Sequence, residues 1–261
     1  MNYPFVSIHP DARIGKNVKI DPFVTIHGDV EIGDETWIGS NVTIMDGARI
    51  GSHCRVFPGA VISAIPQDLK FSGEKTTVEI GDHVTIRECV TLNRGTVDRM
   101  TTKIGSHSLI MAYSHVAHDC LVGEHCILAN AVNMAGHVVV DDYAIIGGMT
   151  AVHQFTHIGS HVMISGGSLV RKDIPPFVKA GREPLAYVGV NSIGLRRRGF
   201  SNERINQIQE VYRVLYLSGL NTTKALQKIE AELPATPERD EIMMFVQNAR
   251  RGIMRGYGSE E

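Results

Sequence analysis

An aliphatic side chain recurs at every sixth position over nearly two thirds of this chain. From Ile8 the series runs through Ile14, Ile20, Ile26, Ile32, Ile38, Ile44, Ile50, Val56 and Ile62. It resumes in the same phase at Ile80, Ile86 and Leu92. A last run starts at Ile104 and passes Ile110, Val116, Val122, Leu128, Met134, Val140, Ile146, Val152, Ile158 and Ile164 to Val170. Three polar residues break the grid, Asp68, Glu74 and Asp98; they predict loop insertions near 63–77 and 93–102. An α-helix would repeat its apolar residues at three and four, and a one-faced strand at two. A step of six fits a short strand plus a corner, with one aliphatic side chain inward per repeat. A small or β-branched residue two positions earlier supplies a second inward site. Glycine often follows the aliphatic residue (Gly15, Gly33, Gly39, Gly51, Gly81, Gly105, Gly123, Gly147, Gly159), which we read as corners needing unusual backbone angles. No repeat can bury its apolar residue alone, so stacked neighbours must supply the stability.

After Val170 the period ends in Asp173-Ile174-Pro175-Pro176 and Gly181-Arg182-Glu183-Pro184, an exit marked by turn-forming residues. Beyond Phe200 the pattern turns helical. Ser201 is placed to cap a helix that carries Ile205, Ile208, Val211 and Leu215 on one face and ends near Gly219. Asn221 can cap a second helix through Leu226 and Ile229, and Thr236-Pro237 opens a third. The reading is therefore all-β over 1–189, followed by a small C-terminal α-helical domain over 190–261 that covers the open end of the stack.

Composition narrows the function. Lys and Arg number 26 against 28 Asp and Glu, a net charge of −2, so no basic excess exists to neutralise nucleic-acid phosphates. No run approaches the ~20 apolar residues of a membrane span. Met1-Asn2-Tyr3-Pro4-Phe5 lacks the features of a signal peptide, and a cytoplasmic location is expected. Cys54, Cys89, Cys120 and Cys126 form no C-x-x-C pair and are read as reduced packing residues.

Histidines concentrate in the second half of the repeat region: His115, His118, His137, His153, His157 and His161. With three repeats per coil, positions 118, 136 and 154 fall in one column, and His118, His137 and Gln154 lie within one residue of it. His9, His27, His53, His83, His107 and His125 are read as solvated corner residues. Two chemistries suit the column. Zinc needs several imidazoles converging tetrahedrally. Acyl transfer needs one imidazole as general base, a carboxylate to orient it, and a donor for the oxyanion. His118 with Asp119 fits base and orienter, and a backbone N–H near Gly136 fits the donor.

The repeat resembles that of the hexapeptide-repeat family. This resemblance implies a left-handed parallel β-helix with three hexapeptides per triangular coil, and a homotrimer with active sites between adjacent prisms. The family is chiefly acyltransferases, with a zinc branch in the γ-class carbonic anhydrases. The segment His115-Val-Ala-His118-Asp119-Cys120 resembles the catalytic segment of the UDP-N-acetylglucosamine 3-O-acyltransferase family. Ile65-Pro-Gln-Asp-Leu-Lys70, Asn93-Arg-Gly-Thr96, Met134-Ala-Gly-His137, Ile146 through Phe155, and Gly194 through Phe200 match further segments in the family's order.

The resemblance implies that His118 is the general base and Asp119 its orienter, with no metal and no cofactor. Gln67, Asp68 and Lys70 would stand in a loop near the amino sugar and acyl chain. His115 and His137 would contact substrate, and His153 with Gln154 the nucleotide sugar. Arg197 and Arg198 would hold the nucleotide phosphate, for which a guanidinium fork is well shaped. Asn191 would lie at the uridine, although Ile193 departs from the family's best-studied members, which carry an acidic residue there. Gly166 matches a position that measures acyl length and leaves room for a long 3-hydroxyacyl chain. The implied donor is an acyl carrier protein and the implied acceptor UDP-N-acetylglucosamine or its 3-amino analogue. Rival readings are a zinc enzyme, an N-acyltransferase on a glucosamine nucleotide, and a non-enzymatic scaffold.

Overall fold

The structure, a computed structural model, describes residues 5–256. Most strands are two residues long and are separated by four-residue corners. They stack into three parallel faces of nine, eight and ten strands. Along the first face Ser7 pairs with Thr25 and Thr25 with Thr43. Arg13 pairs with Glu31 on the second face and Lys19 with Trp37 on the third. The result is a left-handed parallel β-helix of triangular section.

The six-residue grid is the core. Ile38, Ile44, Val56, Ile62, Ile86, Leu92, Ile104 and Ile110 expose no surface, and neither do Val42, Ala48, Ala60 and Val84 at the second inward site. At several polar second sites the hydroxyl finds a corner carbonyl of the adjoining coil. Thr36 donates to the Gly51 carbonyl (2.9 Å), Ser108 to Gly123 (3.1 Å) and Ser114 to Ala129 (2.9 Å). These buried hydroxyls are thereby partnered, as an apolar interior favours; that of Thr156 is not.

The corners correct one part of the sequence reading. Left-handed backbone angles fall two residues beyond the expected glycines, on Asn17 (φ 56°), Glu35 (59°), His53 (57°) and His83 (57°). Such angles cost a side-chain-bearing residue about 1–2 kcal/mol. The glycines serve close approach instead. A Cβ on Gly105 would stand 2.4 Å from the Gly123 carbonyl carbon, and one on Gly33 would stand 2.6 Å from that of Gly51. Stacked backbones leave no room there for any side chain.

The corner histidines are exposed or half-buried, as expected, and several of them also stack. On the edge joining the second and third faces, His53, His83, His107, His125, Tyr143 and His161 lie flat on one another. Their centroids are 4.7–4.9 Å apart and their planes within 6° of parallel. Coil spacing sets this distance. Among the cysteines, Cys54, Cys120 and Cys126 are buried as anticipated, but Cys89 is exposed at a corner.

Two insertions interrupt the stack. The strand Val61–Ala64 pairs with Thr91–Asn93, and Thr91 then pairs with His115. Each insertion adds a whole number of hexapeptides, which is why the grid returns in phase beyond it. The extra residues, 65–76 and 94–100, both leave the first face on its way to the second. In the following coils that same edge carries 117–120, 135–138 and 153–156. Both loops therefore project beside the His118 corner.

An antiparallel pair, Val178–Gly181 with Ala186–Val190, closes the third face. Four helices follow: α1 (Ser192–Arg197), α2 (Asn202–Leu217), α3 (Thr222–Glu232) and α4 (Pro237–Asn248). Ser201, Asn221 and Thr236 cap the last three by accepting from the amides of Arg204, Lys224 and Arg239. The sequence pattern concealed α1, a short helix with glycine inside it at Gly194 and just beyond it at Gly199. The helices also lean on the flank of the stack. Phe245 packs on His157 with ring centroids 4.5 Å apart, and the Tyr212 hydroxyl donates to the Pro176 carbonyl (2.5 Å). Among the described residues no helix is long and apolar enough to cross a membrane.

Candidate active site

His118 and Asp119 occupy the corner after the strand His115–Val116. The left-handed angle at Asp119 turns its side chain back beside its neighbour. Nδ1 of His118 lies 2.8 Å from Asp119 Oδ2, and the carboxylate is wholly buried. Burial works to raise the Asp119 carboxyl. Hydrogen bonds from the Thr96 hydroxyl, His118 and the Thr96 amide, with His137 nearby, outweigh it and hold the group below its ordinary value. The carboxylate therefore stays ionised, accepts from Nδ1 and leaves Nε2 of His118 free to act as a base.

One coil on, Gly136 faces that nitrogen. A Cβ there would come within 2.7 Å of His118 Nε2 and 2.6 Å of Cε1, so only glycine leaves space before the imidazole. The Gly136 carbonyl accepts from Phe155, whereas its N–H donates to no described residue. An amide so placed can serve an oxyanion.

His137 sits one position off the column, on the ridge that also carries Asp119 and Phe155. Its ring is edge-on to His118 (centroids 5.0 Å apart) and flat on Phe155 (4.5 Å). Its Nδ1 is 3.0 Å from the Asp98 carboxylate, close enough for an ion pair but not aligned as a hydrogen bond. Burial lowers the His137 and His115 pKa values from 6.5; His118 adds to the effect at His115. Nδ1 of His115 also contacts the Thr91 hydroxyl at 2.7 Å.

These groups line an open groove of about 800 Å³. Gln67, Asp68 and Lys70 stand on its loop side, and His115, His118, Gly136 and Gln154 on the stack. Its floor is apolar: Ala117, Met134, Ala135, Ala151 and Val152. His137 lies buried behind the lining, and His153 is exposed, its Nδ1 at 3.0 Å from the Gln154 carbonyl. Gly166 lies between two and three coils on from His118, on the edge where the third face meets the first. A Cβ at Gly166 would touch the Gly148 carbonyl at 3.0 Å.

The remaining three anticipated residues are not brought to this groove within one chain. Asn191 is buried and its amide is occupied, donating to the His161 carbonyl (2.9 Å) and accepting from Gly194 as the cap of α1 (3.3 Å). Arg198 donates to the Tyr143 carbonyl (2.9 Å) and lies over that ring. Arg197 is exposed on the same helix. All three belong to the edge joining the second and third faces, whereas His118 belongs to the edge joining the first and second.

His118, Asp119 and His137 have ligand atoms within 4.8 Å of one another, yet the donor set suits zinc poorly. Among the described residues the group offers two imidazoles and one carboxylate, and the Asp119 oxygens it would need already accept four hydrogen bonds. Thiol chemistry is likewise disfavoured beside the dyad, since burial pushes Cys120 up to about 12. The sequence reading passed over Thr96 and Arg99, which hold Asp119. The only signal was the broken grid at Asp98, just beyond the matching Asn93–Thr96 segment.

Comparison with known proteins gives concordant matches. The family profile described as Udp N-acetylglucosamine O-acyltransferase, Domain 2, matches residues 173–254, and the bacterial transferase hexapeptide profile matches 101–136. A GMPPB C-terminal domain profile matches 3–98. A Thiobacillus denitrificans protein named acyl-[acyl-carrier-protein]–UDP-N-acetylglucosamine O-acyltransferase is 46% identical over 202 residues, 77% of this chain and 78% of its own. The crystal structure of LpxA, a UDP-N-acetylglucosamine acyltransferase from Bacteroides fragilis, superposes with a TM-score of 0.96 at 55% identity, covering 98% of this chain and 100% of that one. LpxA from Acinetobacter baumannii gives 0.94 at 41% identity, covering 97% and 99%.

Proposed function

The chain belongs to the UDP-N-acetylglucosamine O-acyltransferase family, and from that premise we propose that it moves an (R)-3-hydroxyacyl chain from acyl carrier protein to the 3-hydroxyl of UDP-N-acetylglucosamine. This is the first step of lipid A biosynthesis. One observation carries the mechanism: Nε2 of His118, whose Nδ1 is held by buried Asp119, faces Gly136 across the groove, beside an amide that has no described partner.

His118 takes the proton of the sugar hydroxyl as that oxygen attacks the thioester carbonyl. The oxyanion so formed is met by the Gly136 N–H. Collapse of the tetrahedral adduct breaks the carbon–sulfur bond, and the departing thiolate receives the proton from the imidazolium. His115, His137, Gln154, Gln67, Asp68 and Lys70 supply polar contacts along the groove, with His153 at its margin. The apolar floor accepts hydrocarbon.

Arg197 and Arg198 hold the nucleotide phosphates, and Asn191 acts through the α1 cap that aims them. Since these residues lie on a different edge from His118, a complete site needs the second copy of the chain in a homotrimer. Light scattering is expected to give three times the chain mass; a monomer with full activity would remove this claim. The carrier-protein donor favours a cytoplasmic location.

The test is an acyl-transfer assay with UDP-N-acetylglucosamine, its 3-amino analogue and a panel of 3-hydroxyacyl carrier proteins. Transfer from a long 3-hydroxyacyl donor to the hydroxyl supports the proposal, and no transfer to the hydroxyl from any donor refutes it. In the same panel Gly166→Met is expected to shift preference to shorter donors. A side chain there would stand over Gly148 and narrow the far end of the first face. Unchanged chain-length preference would remove that role.

A further inference from the structure

The inserted segment 94–100 wraps the carboxylate on which His118 depends. The Thr96 hydroxyl donates to Asp119 Oδ2 at 2.6 Å, on the same oxygen that faces His118. The amides of Thr96 (3.0 Å) and Arg99 (3.2 Å) donate to Oδ1. The Arg99 guanidinium donates to the Asp119 main-chain carbonyl (2.9 Å), and the Thr102 hydroxyl accepts from the Asp119 amide (2.8 Å). Both carboxylate oxygens and the main-chain carbonyl of Asp119 are therefore tied to the loop and its amide to the strand that follows, while none of these partners lines the groove.

A bare carboxylate in this position would be free to rotate about its last torsion, because the side chain of an aspartate has a broad minimum there. It could also take a proton as burial favours the neutral form. Either change would release the imidazole from the tautomer and orientation that leave Nε2 basic. The loop removes both freedoms.

We infer that Thr96 is a positioning residue for the acyl-transfer reaction, acting through Asp119 to fix the general base, and that the insertion 94–100 is present to build this cradle. The inference rests on His118 being the base. The Thr96 hydroxyl shares Oδ2 with His118, so it also limits how much carboxylate charge the imidazolium receives. Removing it frees that charge, stabilises the protonated ring and makes it a base only at higher pH.

Thr96→Val removes the hydroxyl and preserves shape and both amide donors. It is expected to lower kcat roughly tenfold to a hundredfold, the range for a hydrogen bond to a charged group. KM for the nucleotide sugar should change little, and the acid limb of the pH–rate profile should move to higher pH. Thr96→Ser, which keeps the hydroxyl, should restore most of the rate and the original limb. His118→Ala and the double variant are measured beside them; adding Thr96→Val to the alanine background should cost nothing more, since the residue through which Thr96 acts is gone. Wild-type kcat and pH profile in Thr96→Val, with His118→Ala inactive, would overturn the cradle and leave the base assignment standing. An active His118→Ala would overturn the base assignment itself. Equal impairment of the serine and valine variants would assign the effect to packing and also overturn the inference.

Discussion

Replacing His118 with alanine is expected to cut kcat by a hundredfold to ten-thousandfold, the range that a positioned general base contributes. The sugar hydroxyl is a weak nucleophile while it keeps its proton. Among the described residues lining the groove, no other imidazole is held by a buried carboxylate. His115 lines the groove as well, but its Nδ1 contacts the neutral hydroxyl of Thr91. The wild-type rate should fall on the acid side as the base takes a proton, and the alanine variant's residual rate should lose that limb. Comparison belongs above pH 6.5, because acid also weakens the fold. His115 and His137 have lowered pKa values, so the folded chain resists protons that the unfolded chain begins to take near 6.5. The stability they cost appears as pH falls through that value. Asp119, with its carboxyl lowered from 3.8, contributes stability at higher pH that is lost as pH drops through its depressed value. Both effects run the same way. The alanine change itself leaves the stack intact, since His118 is at a corner and outside the aliphatic core. A folded variant with near-normal turnover would end the assignment.

Ile104→Ala is expected to produce the largest loss of stability, about 2–5 kcal/mol. Ile104 is fully buried and stacks between Ile80 and Val122 on the second face. Its neighbours are tied into coils by backbone hydrogen bonds on both sides, so the void cannot close by local collapse. Gly105 follows it at a point where the backbones already touch, which further limits adjustment. A denaturation midpoint unchanged from wild type would contradict this account. The void should matter for function too, since this strand follows directly on the loop that carries Thr96 and Arg99.

Much of this architecture is written in the period of six. The grid marks one inward aliphatic per repeat from Ile8 to Val170, and its three polar breaks mark the two loops. The column of positions 118, 136 and 154 places Gly136 against His118, as the structure has it. The caps at Ser201, Asn221 and Thr236 were likewise legible, because a single side chain at a helix start suffices to set each one. What was not legible depends on contacts between coils. The corner glycines look like conformational devices until the next coil is seen 2.4 Å from where a Cβ would be. The flat stack of His53, His83, His107 and His125 cannot be read from residues that, taken singly, are ordinary surface imidazoles. Thr96 and Arg99 carry no pattern of their own; only the folded loop reveals that they end on Asp119. Asn191 resembled a ligand contact, and its local role as a helix cap was hidden behind that resemblance.

The shared edge of the two inserted loops has a consequence for how such a chain can change length. Eighteen residues complete one turn around the prism, so a whole added coil lengthens the column and keeps each later residue on its own edge. Adding one hexapeptide within the stack would instead rotate everything downstream by a third of a turn. Placed between Asp119 and Gly136, it would carry the oxyanion donor to an edge that the general base does not face. The same six residues let out into a loop, as within 94–100, rotate nothing. Growth in this family of shapes is therefore quantised: by storeys in the wall, or by any number of hexapeptides on a balcony.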